Sequence, residues 1–289
     1  MMQRSAKISV VMPAFNEANR IQDSLQETIN TFDEYKSNYE IIVVDDGSSD
    51  DTFQKAQAVA ARYYEGRIRV LRNLVNCGKG RAIKKGVRYA GGDYIVFLDA
   101  DMDLHPGQIN TFFDIMRLTN TDIVIGSKMH PNSQLRYPWY RRLMSAVYYY
   151  LVKCLFGLPV HDTQTGLKLF KREAARKLFK HNKTKKFAFD LEVLANAHRL
   201  GFTIAEAPII LQNQRVFGRI GIRAIALMLI DTFAIFYRMY IRKSYEPKKA
   251  AQHSLSFSNA SRRARRSHLA KRGRSRAQLA ITPPLALHK

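Results

Sequence analysis

Three aspartates follow a short apolar run at every second position. Residues 96–98 read Val-Phe-Leu, and Asp99, Asp101 and Asp103 come directly after them. In an extended segment these three carboxylates would point the same way, and their like charges would repel each other. A divalent cation offsets that repulsion, because Mg²⁺ or Mn²⁺ binds one or two carboxylates and completes its shell with water and phosphate oxygens. The spacing therefore indicates a metal site, although a bare DxD is more often an acidic surface turn.

Three further polar loops lie near apolar runs or helix starts. They read PAFNE (13–17), DDGSSDD (45–51) and NCGKG (76–80). The GKG triplet opens a predicted helix, where backbone N–H groups and Lys79 can meet a phosphate, although an ordinary turn has the same composition. No GxGxxG follows the first strand and no GxxxxGK[ST] occurs, so a dinucleotide-binding Rossmann domain loses its main support.

Apolar runs alternate with helical patterns through the first 126 residues. This alternation predicts a doubly wound parallel sheet. Ligands of such sheets bind at the carboxyl ends of the strands. All four polar loops, the aspartate loop included, fall at that edge. The predicted strands are 8–12, 41–44, 68–73, 94–98 and 122–126, and the predicted helices are 17–38, 51–64, 79–90 and 106–118.

Two later stretches, 135–158 and 219–242, are apolar and rich in aromatic residues and arginine. The second approaches the length of a membrane span, but Asp231 at its centre would cost about 3 kcal/mol there. We favour a helix lying in the membrane interface, with a helix packed on the protein itself and a spanning helix as alternatives. At 100° per residue, one side would carry Arg223, Asp231, Arg238 and Arg242, with Arg219 at its edge; the other would carry Ile222, Leu229, Phe233, Phe236 and Tyr240, with Leu227 as an exception.

The chain is strongly basic, with a formal net charge of +23 over 289 residues. Residues 248–289 hold eleven Lys and Arg and no Asp or Glu, so the preceding residues still carry +12. A basic body suits an anionic partner such as nucleotide phosphates, phospholipid or nucleic acid. The tail, taken as 246–289, is expected to be disordered. Phe257 is the one aromatic residue of the tail, so the tail has little capacity to stack on bases, and no specific nucleic acid is expected as a partner. The tail is better suited to contact an anionic membrane surface or to remain solvated.

Cysteine use and the N-terminus bear on the compartment. Cys77 and Cys154 are far apart and form neither a metal spacing nor a disulfide framework, which fits a reducing environment. The first residues run into the strand ISVVMPAF without an apolar signal region. We therefore expect the chemistry to take place on the cytoplasmic face of a membrane, with the protein peripheral or monotopic.

Taken together, the loops resemble those of family 2 glycosyltransferases, and among these the polyprenyl (dolichyl) phosphate hexosyltransferases. Further matches are IGSK (125–128), HDTQTGLKLFKREAARKLF (161–179) and FAFDLEVLA (187–195). The combination of DTQxGxKLF with FAFDxE is more similar to dolichyl-phosphate β-glucosyltransferases than to the mannosyl branch. The resemblance implies a GT-A fold, an α/β doubly wound, mostly parallel sheet, over residues 1–215. An amphipathic interfacial helix in 216–245 and the basic tail would follow.

The resemblance also implies a role for each loop on the donor side. Asp45 would accept a hydrogen bond from the base, with Asp46 nearby, and Lys79 would approach the nucleotide. Asp103 stands where relatives often have a glutamine that reaches the metal, so here an acid replaces an amide. The base and ribose pocket would be lined by Pro13, Ala14 and Glu17, and the metal would be held by Asp99, Asp101 and Asp103.

On the acceptor side a lipid phosphate needs cations just above the membrane surface. Arg141 and Ser145 are four residues apart on the predicted helix within 135–158 and so share a face. Arginine can bind phosphate with two hydrogen bonds, whereas Lys128, which stands where the family usually has Arg, offers a point charge. Arg215 follows the last core strand, where the family places a residue near the phosphates. Lipid headgroups or water are the alternative partners of these cations.

The resulting hypothesis is an inverting transfer of a hexose from a nucleotide sugar, UDP-glucose or else GDP-mannose, to a polyprenyl or dolichyl phosphate. A phosphate monoester with a second pKa near 6 is mostly dianionic at pH 7, so it can attack without a strong base. A sugar-hydroxyl acceptor, the first alternative, would need one of the pocket carboxylates as base. The second alternative is a non-catalytic basic nucleotide- or RNA-binding protein, which the acidic loops disfavour. The resemblance implies that the pocket carboxylates would contact the sugar through hydrogen bonds to its hydroxyl groups; they are Asp162, Asp190 and Glu192.

Overall fold

The computed structural model describes residues 6–63, 67–134, 139–181, 188–211 and 222–245. The chain divides into one unit of residues 1–241, which contains the elements below, and a second of residues 242–289, of which 242–245 are described. The basic tail predicted for 246–289 and Arg215 lie outside the described residues, as does the side chain of Arg141.

A seven-stranded sheet runs through the described part of the larger unit, in the order β3-β2-β1-β4-β6-β5-β7. Strand β6 is antiparallel to β4 and β5, and the other pairs are parallel, so the prediction of a mostly parallel α/β sheet is confirmed. The strands are β1 (Lys7–Ala14), β2 (Asn38–Asp45), β3 (Ile68–Arg72), β4 (Tyr94–Phe97), β5 (Ile123–Ser127), β6 (Lys168–Lys171) and β7 (Ile204–Pro208).

Helices connect and cover these strands. The predicted helix over 17–38 is shorter than expected, because Asn16 has φ of +54° and the Glu17 N–H donates to Thr52, which places both residues in the loop before Ile21. The helices are α1 (Ile21–Glu34), α2 (Thr52–Ala60), α3 (Lys79–Tyr89), α4 (Ile109–Thr119) after a 3₁₀ turn (Pro106–Gln108), α5 (Trp139–Phe156), α6 (Arg172–His181), α7 (Phe189–Arg199) and α8 (Ile222–Phe236), which continues as a π-helical turn (Tyr237–Ile241).

The core lies between the sheet and these helices. The middle of β1 and β2 is fully buried on both faces, which explains their continuous rather than alternating apolar runs. Helix α1 buries its predicted stripe of Ile21, Leu25, Ile29 and Phe32. Burial of each such side chain contributes about 1.5–3 kcal/mol to the free energy of unfolding, so a well-packed core supports the edge of the sheet.

Strand register brings the polar loops to one edge of the sheet. Ala14 pairs with Asp45 and Val11 with Phe97, so β1, β2 and β4 end side by side. Because β6 is antiparallel, its first residue, Lys168, lies at the same edge and pairs with Phe97. The loop that precedes β6 therefore faces the aspartates that follow β4.

The aspartate segment does not continue the strand. Strand β4 ends at Phe97, residues 100 and 101 form a turn, and Met102 has φ of +60°, in the left-handed region. The expectation that extended geometry aligns the three carboxylates is therefore wrong. The turn curls this segment over the strand ends instead of extending β4.

Helix α8 is apolar on two sides rather than one. Thr232, Ile235 and Met239 are buried, and a second apolar stripe is exposed. Leu227 belongs to this exposed stripe, so the predicted division into one polar and one apolar side is only partly correct. Within the described ranges, no helix combines the length and apolarity needed to cross a membrane. The exposed stripe comprises Leu227, Ile230, Phe233, Tyr237 and Ile241.

Candidate functional site

Asp46 organises the loop that leads into α3. Its carboxylate accepts hydrogen bonds from the Asn73 side-chain amide at 2.7 Å and from the backbone N–H groups of Cys77 and Gly78 at 3.1 and 2.7 Å. Gly47 has φ of +75°, and a Cβ there would lie 2.6 Å from the Val75 carbonyl carbon, so only glycine fits. These contacts fix where α3 begins and therefore where Lys79 stands.

Asp45 is paired with an arginine that stacks on an aromatic ring. Its side chain is fully buried, and Oδ1 accepts from the Ser48 backbone N–H and hydroxyl. Arg72 Nε lies 3.0 Å from Oδ2, and the Arg72 guanidinium lies over the Phe53 ring. Oδ2 receives no directed hydrogen bond within the described residues, so the Arg72 contact is an ion pair that leaves an acceptor for another N–H group.

The other predicted donor-side residues lie beside this pair. Ala14 is buried at the end of β1, and its carbonyl accepts the Asp46 N–H at 2.8 Å. Pro13 precedes it and is partly exposed, while Glu17 lies in the loop tied to Thr52. The structure therefore brings Pro13, Ala14 and Glu17 to the same edge as Asp45.

Lys79 reaches across the edge to the aspartate loop. Its ammonium lies 2.6 Å from Oδ1 and 2.7 Å from Oδ2 of Asp99. Burial disfavours the Lys79 cation, but the negative charges of Asp99 and Asp190 and the hydrogen bond to Asp99 outweigh it and raise the Lys79 pKa. Lys79 is therefore charged, which links the predicted nucleotide loop directly to the predicted metal motif.

The three aspartates line one cavity despite the turn between them. The backbone N–H of Asp103 donates to Asp101 Oδ1 at 3.1 Å, which holds the turn closed. The cavity joins this acidic wall to the end of β5, the loop before β6 and an apolar wall. Its lining comprises Asp99, Asp101, Asp103, Leu104, Lys128, Gln164, Thr165, Gly166, Ile209 and Leu211.

The donor set of this cavity fits a hard divalent cation. Carboxylate oxygens are the ligands that Mg²⁺ and Mn²⁺ prefer, and a lysine ammonium already lies against both Asp99 oxygens as a cation would. Among the residues that the structure describes, no group of three or more acidic, His or Cys side chains is arranged to hold a metal alone. Asp99 and Asp101 would thus hold an ion that takes further oxygens from water or a phosphate. Direct ligation by Asp103 stays a prediction.

Gly166 lies directly against the Asp99 carboxylate. A Cβ added at Gly166 would overlap Asp99 Oδ2 and its carboxyl carbon, so the DTQTGLK loop closes on the metal motif only with glycine at this position. Gly166 is not among the site residues predicted above. A glycine inside a motif of polar residues was the available signal for such a close approach.

Asp162 braces the loop before β6. It accepts hydrogen bonds from the N–H groups of Lys128 and Gln164 at 3.0 and 2.9 Å and from the Thr165 hydroxyl at 2.8 Å. The Lys128 ammonium is 3.9 Å away. Burial pushes the pKa of Asp162 up, but the Lys128 charge and these hydrogen bonds more than offset it and hold the pKa below its usual range. Asp162 is therefore ionised at neutral pH.

A buried lysine holds the same loop from behind. Lys168 is 2% exposed, and its ammonium donates to Asp190 at 2.7 Å and to the Thr165 carbonyl. Asp190 is thus engaged in an ion pair, where the sequence analysis expected a sugar contact. Glu192, two residues further along α7, is 1% exposed, does not line the cavity and acts electrostatically on Lys84 of α3.

Helix α5 is attached to the Asp162 loop. The Tyr149 ring stacks on His161 with centroids 4.9 Å apart, and His161 Nδ1 lies 2.7 Å from Glu206 on β7. The Tyr148 hydroxyl lies 3.1 Å from that of Thr232, which joins α5 to α8. Ser145 is exposed on α5, so it lies on a helix anchored beside the cavity loop without lining the cavity itself.

Comparison with known proteins gives matches over most of the chain. A model of the family "Glycosyl transferase family 2" matches residues 9–179. Dolichyl-phosphate beta-glucosyltransferase of Dictyostelium discoideum is 34% identical over 213 residues, 70% of this chain and 65%, just under two thirds, of that protein. Dolichyl-phosphate beta-glucosyltransferase ALG5A of Trichomonas vaginalis is 32% identical over 246 residues, 81% of this chain and 75% of the relative.

Solved structures with the same fold include glucosyl-3-phosphoglycerate synthase from Mycobacterium tuberculosis. The complex of that enzyme with Mn²⁺, UDP-glucose and phosphoglyceric acid superposes with a TM-score of 0.60 at 22% identity, covering 81% of this chain and 79% of that chain. At this level of identity the likeness supports a shared fold and nothing finer.

Proposed function

Because this chain belongs to glycosyl transferase family 2, we propose that it transfers glucose from UDP-glucose to a polyprenyl or dolichyl phosphate, with inversion at the anomeric carbon. Membership of the family makes it a nucleotide-sugar-dependent glycosyltransferase, and its sheet is that of the GT-A fold. The choice of glucose and of a dolichyl-type acceptor is supported by the names of its relatives. The observation that carries the proposal is the single cavity that the aspartate motif and Lys128 line together.

The donor side supports a nucleoside diphosphate sugar. Asp45 Oδ2, which accepts no hydrogen bond within the described residues, would accept an N–H from uracil, and Lys79, paired with Asp99, would approach the diphosphate. Asp99 and Asp101 would hold Mg²⁺ or Mn²⁺, and the bound ion would offset charge on the leaving diphosphate. UDP is favoured over GDP because the relatives at 32–34% identity are named as glucosyltransferases rather than mannosyltransferases.

The carboxylates beside the cavity favour a phosphate over a hydroxyl as nucleophile. A hydroxyl acceptor needs a general base whose pKa is near neutrality. The Asp162 pKa is held low, Asp190 is paired with Lys168, and Glu192 does not line the cavity. A phosphate monoester, mostly dianionic at pH 7, attacks without such a base.

Lys128 is the acceptor cation that the cavity supports best. It lines the cavity together with the aspartates, and its ammonium is 3.9 Å from Asp162, a distance that leaves room for a closer anion such as an acceptor phosphate. Arg141 and Ser145 on α5, and Arg215, stay predictions for the same phosphate.

We expect Lys128→Met to raise the apparent KM for polyprenyl phosphate about tenfold, because one charge-assisted contact to the phosphate is lost. The KM for UDP-glucose should change much less, and steady-state kinetics with each substrate varied in turn measures both. Lys171→Met is the matched control, since Lys171 forms a comparable ion pair with Asp122 at 3.1 Å away from the cavity. A larger rise in the KM for UDP-glucose would remove Lys128 from the acceptor site.

We expect Gly166→Ala to lower kcat about 100-fold, because the new methyl group displaces Asp99 by a distance on the scale that disrupts a catalytic constellation. The free energy of unfolding should fall by no more than about 1 kcal/mol, since the clash falls on the end of a side chain. Gly91→Ala is the control, because a Cβ at Gly91 meets the Glu40 carboxylate at an ordinary 3.4 Å. Unchanged kcat in Gly166→Ala would contradict the close packing proposed for Asp99.

The membrane surface is the expected second partner. Exposed apolar side chains lie on α5 as well as on α8, and contiguous exposed apolar surface marks interaction sites. A chain with a net charge of +23 is attracted to anionic headgroups, so we propose peripheral attachment through these two helices, with the cytoplasmic face as a prediction. The α5 residues are Leu143, Met144, Val147 and Tyr150.

The proposed function is tested by incubating the purified protein with radiolabelled UDP-glucose, Mn²⁺ and polyprenyl phosphate in detergent. We expect label to enter the organic phase only when the lipid phosphate and the metal are both present. Parallel reactions with GDP-mannose test the alternative donor. Organic-phase label from GDP-mannose and none from UDP-glucose would overturn the choice of donor.

A further inference from the structure

The Lys79–Asp99 contact engages the oxygens that a metal would need. The ammonium lies within 2.7 Å of both carboxylate oxygens of Asp99, the first aspartate of the metal motif. Mg²⁺ binds carboxylate oxygens at about 2.0–2.1 Å, so an ion bound across the same two Asp99 oxygens would overlap the ammonium that lies against both of them. The lysine and the ion are thus alternatives at one carboxylate.

The surroundings prevent Asp99 from serving both cations by turning aside. Gly166 lies directly against Oδ2, so rotation of the carboxylate in that direction is blocked. Both side chains are only about one third exposed, 37% for Lys79 and 30% for Asp99, so water screens the repulsion between two cations incompletely. These contacts favour an ion that displaces Lys79 over an ion that binds Asp99 beside it.

Lys79 needs another anion when it leaves Asp99. The neighbouring Asp190 attracts it electrostatically but is already paired with the buried Lys168 at 2.7 Å. Lys79 is the first residue of α3 and follows Gly78, at a helix N-terminus that favours phosphate. The diphosphate of a nucleotide at this edge would therefore be the stronger partner for the released ammonium.

We propose that Lys79 is an internal counter-ion that competes with the divalent cation for Asp99 and that the donor diphosphate releases it. This inference rests on the proposed donor and metal site. Metal and nucleotide would then bind cooperatively for a reason in addition to the contact between them, because the nucleotide removes Lys79, which competes with the metal for Asp99. By linkage, the metal must strengthen nucleotide binding by the same factor.

The test measures the affinity of the full-length protein for Mn²⁺ with and without UDP. The electron paramagnetic resonance signal of free Mn²⁺ is the readout. We expect Lys79→Met to bind Mn²⁺ about tenfold more tightly than the wild type when UDP is absent, because a competing positive charge is gone. The enhancement of Mn²⁺ affinity by UDP should shrink in the variant by at least the same factor. Transferase activity is not part of this readout.

Lys85→Met is the matched control, because Lys85 lies on the same helix but bonds to the Arg72 carbonyl and the Asn73 side chain instead of Asp99. Its Mn²⁺ affinity should equal that of the wild type. The inference is overturned if Lys79→Met binds Mn²⁺ no more tightly than the wild type, or if Lys85→Met gains as much affinity as Lys79→Met. In either case, UDP-dependent Mn²⁺ binding by the wild type would leave the proposed function standing. Absence of Mn²⁺ binding by every protein, with or without UDP, overturns both.

Discussion

Asp101→Ala is expected to lower kcat for glucose transfer by about 1,000-fold while the fold is retained. Asp101 is one of the two carboxylates that would hold the ion, and the donor's diphosphate can leave only when its charge is offset. The side chain lies in a partly exposed turn and accepts a hydrogen bond from the Asp103 N–H. Loss of that contact should lower the free energy of unfolding by only about 1 kcal/mol.

The measurement for Asp101→Ala is initial rate as a function of Mn²⁺ concentration at saturating donor and acceptor. Asp114→Ala is the matched control, because Asp114 is an exposed acid on α4 that pairs weakly with Arg117 at 4.0 Å. It should leave the Mn²⁺ profile unchanged. Full activity of Asp101→Ala, or a loss restored simply by folding stabilisers, would refute the metal assignment.

Lys168→Met should lower the free energy of unfolding by about 3–5 kcal/mol, because it leaves Asp190 as an uncompensated charge in the protein interior. The ammonium also satisfies the Thr165 carbonyl, which would lose its partner. Both members of the pair are almost fully buried, so water cannot replace the lost cation without opening the loop beside the metal motif. Urea unfolding at equilibrium measures the change.

Two further variants separate the buried charge from general damage to β6. Lys168→Met combined with Asp190→Asn removes both charges and should recover most of the lost stability. Lys171→Met, on the same strand, breaks a pair with Asp122 whose side chains are about one third exposed, and it should cost less than about 1 kcal/mol. A Lys168→Met protein as stable as Lys171→Met would contradict the account of this pair.

The first half of the fold was predictable because its signals are local. Continuous apolar runs identify β1 and β2, and the spacing from Ile21 to Phe32 identifies α1, since each pattern reflects burial within a few residues. The reversed direction of β6 depends on pairing with β4 and β5, strands distant in sequence. No local pattern encodes such a pairing.

The site was predictable at the level of loops but not of contacts. Parallel strands necessarily bring their carboxyl ends together, which is why Asp45, Lys79 and Asp99 meet. The left-handed Met102 turns the aspartate segment away from strand geometry, a feature that alternation cannot predict. The Lys168–Asp190 pair joins residues 22 positions apart on a strand and a helix, so only the tertiary structure reveals it.

The most direct test of the central claim is the product formed from UDP-[¹⁴C]glucose and Mn²⁺ with polyprenyl phosphate, compared side by side with the corresponding polyprenol. A phosphate nucleophile predicts a labelled lipid from polyprenyl phosphate alone, from which mild acid releases glucose, because a glycosyl phosphate is acid-labile. Labelled lipid from the polyprenol, or none from polyprenyl phosphate with either UDP-glucose or GDP-mannose, would contradict it.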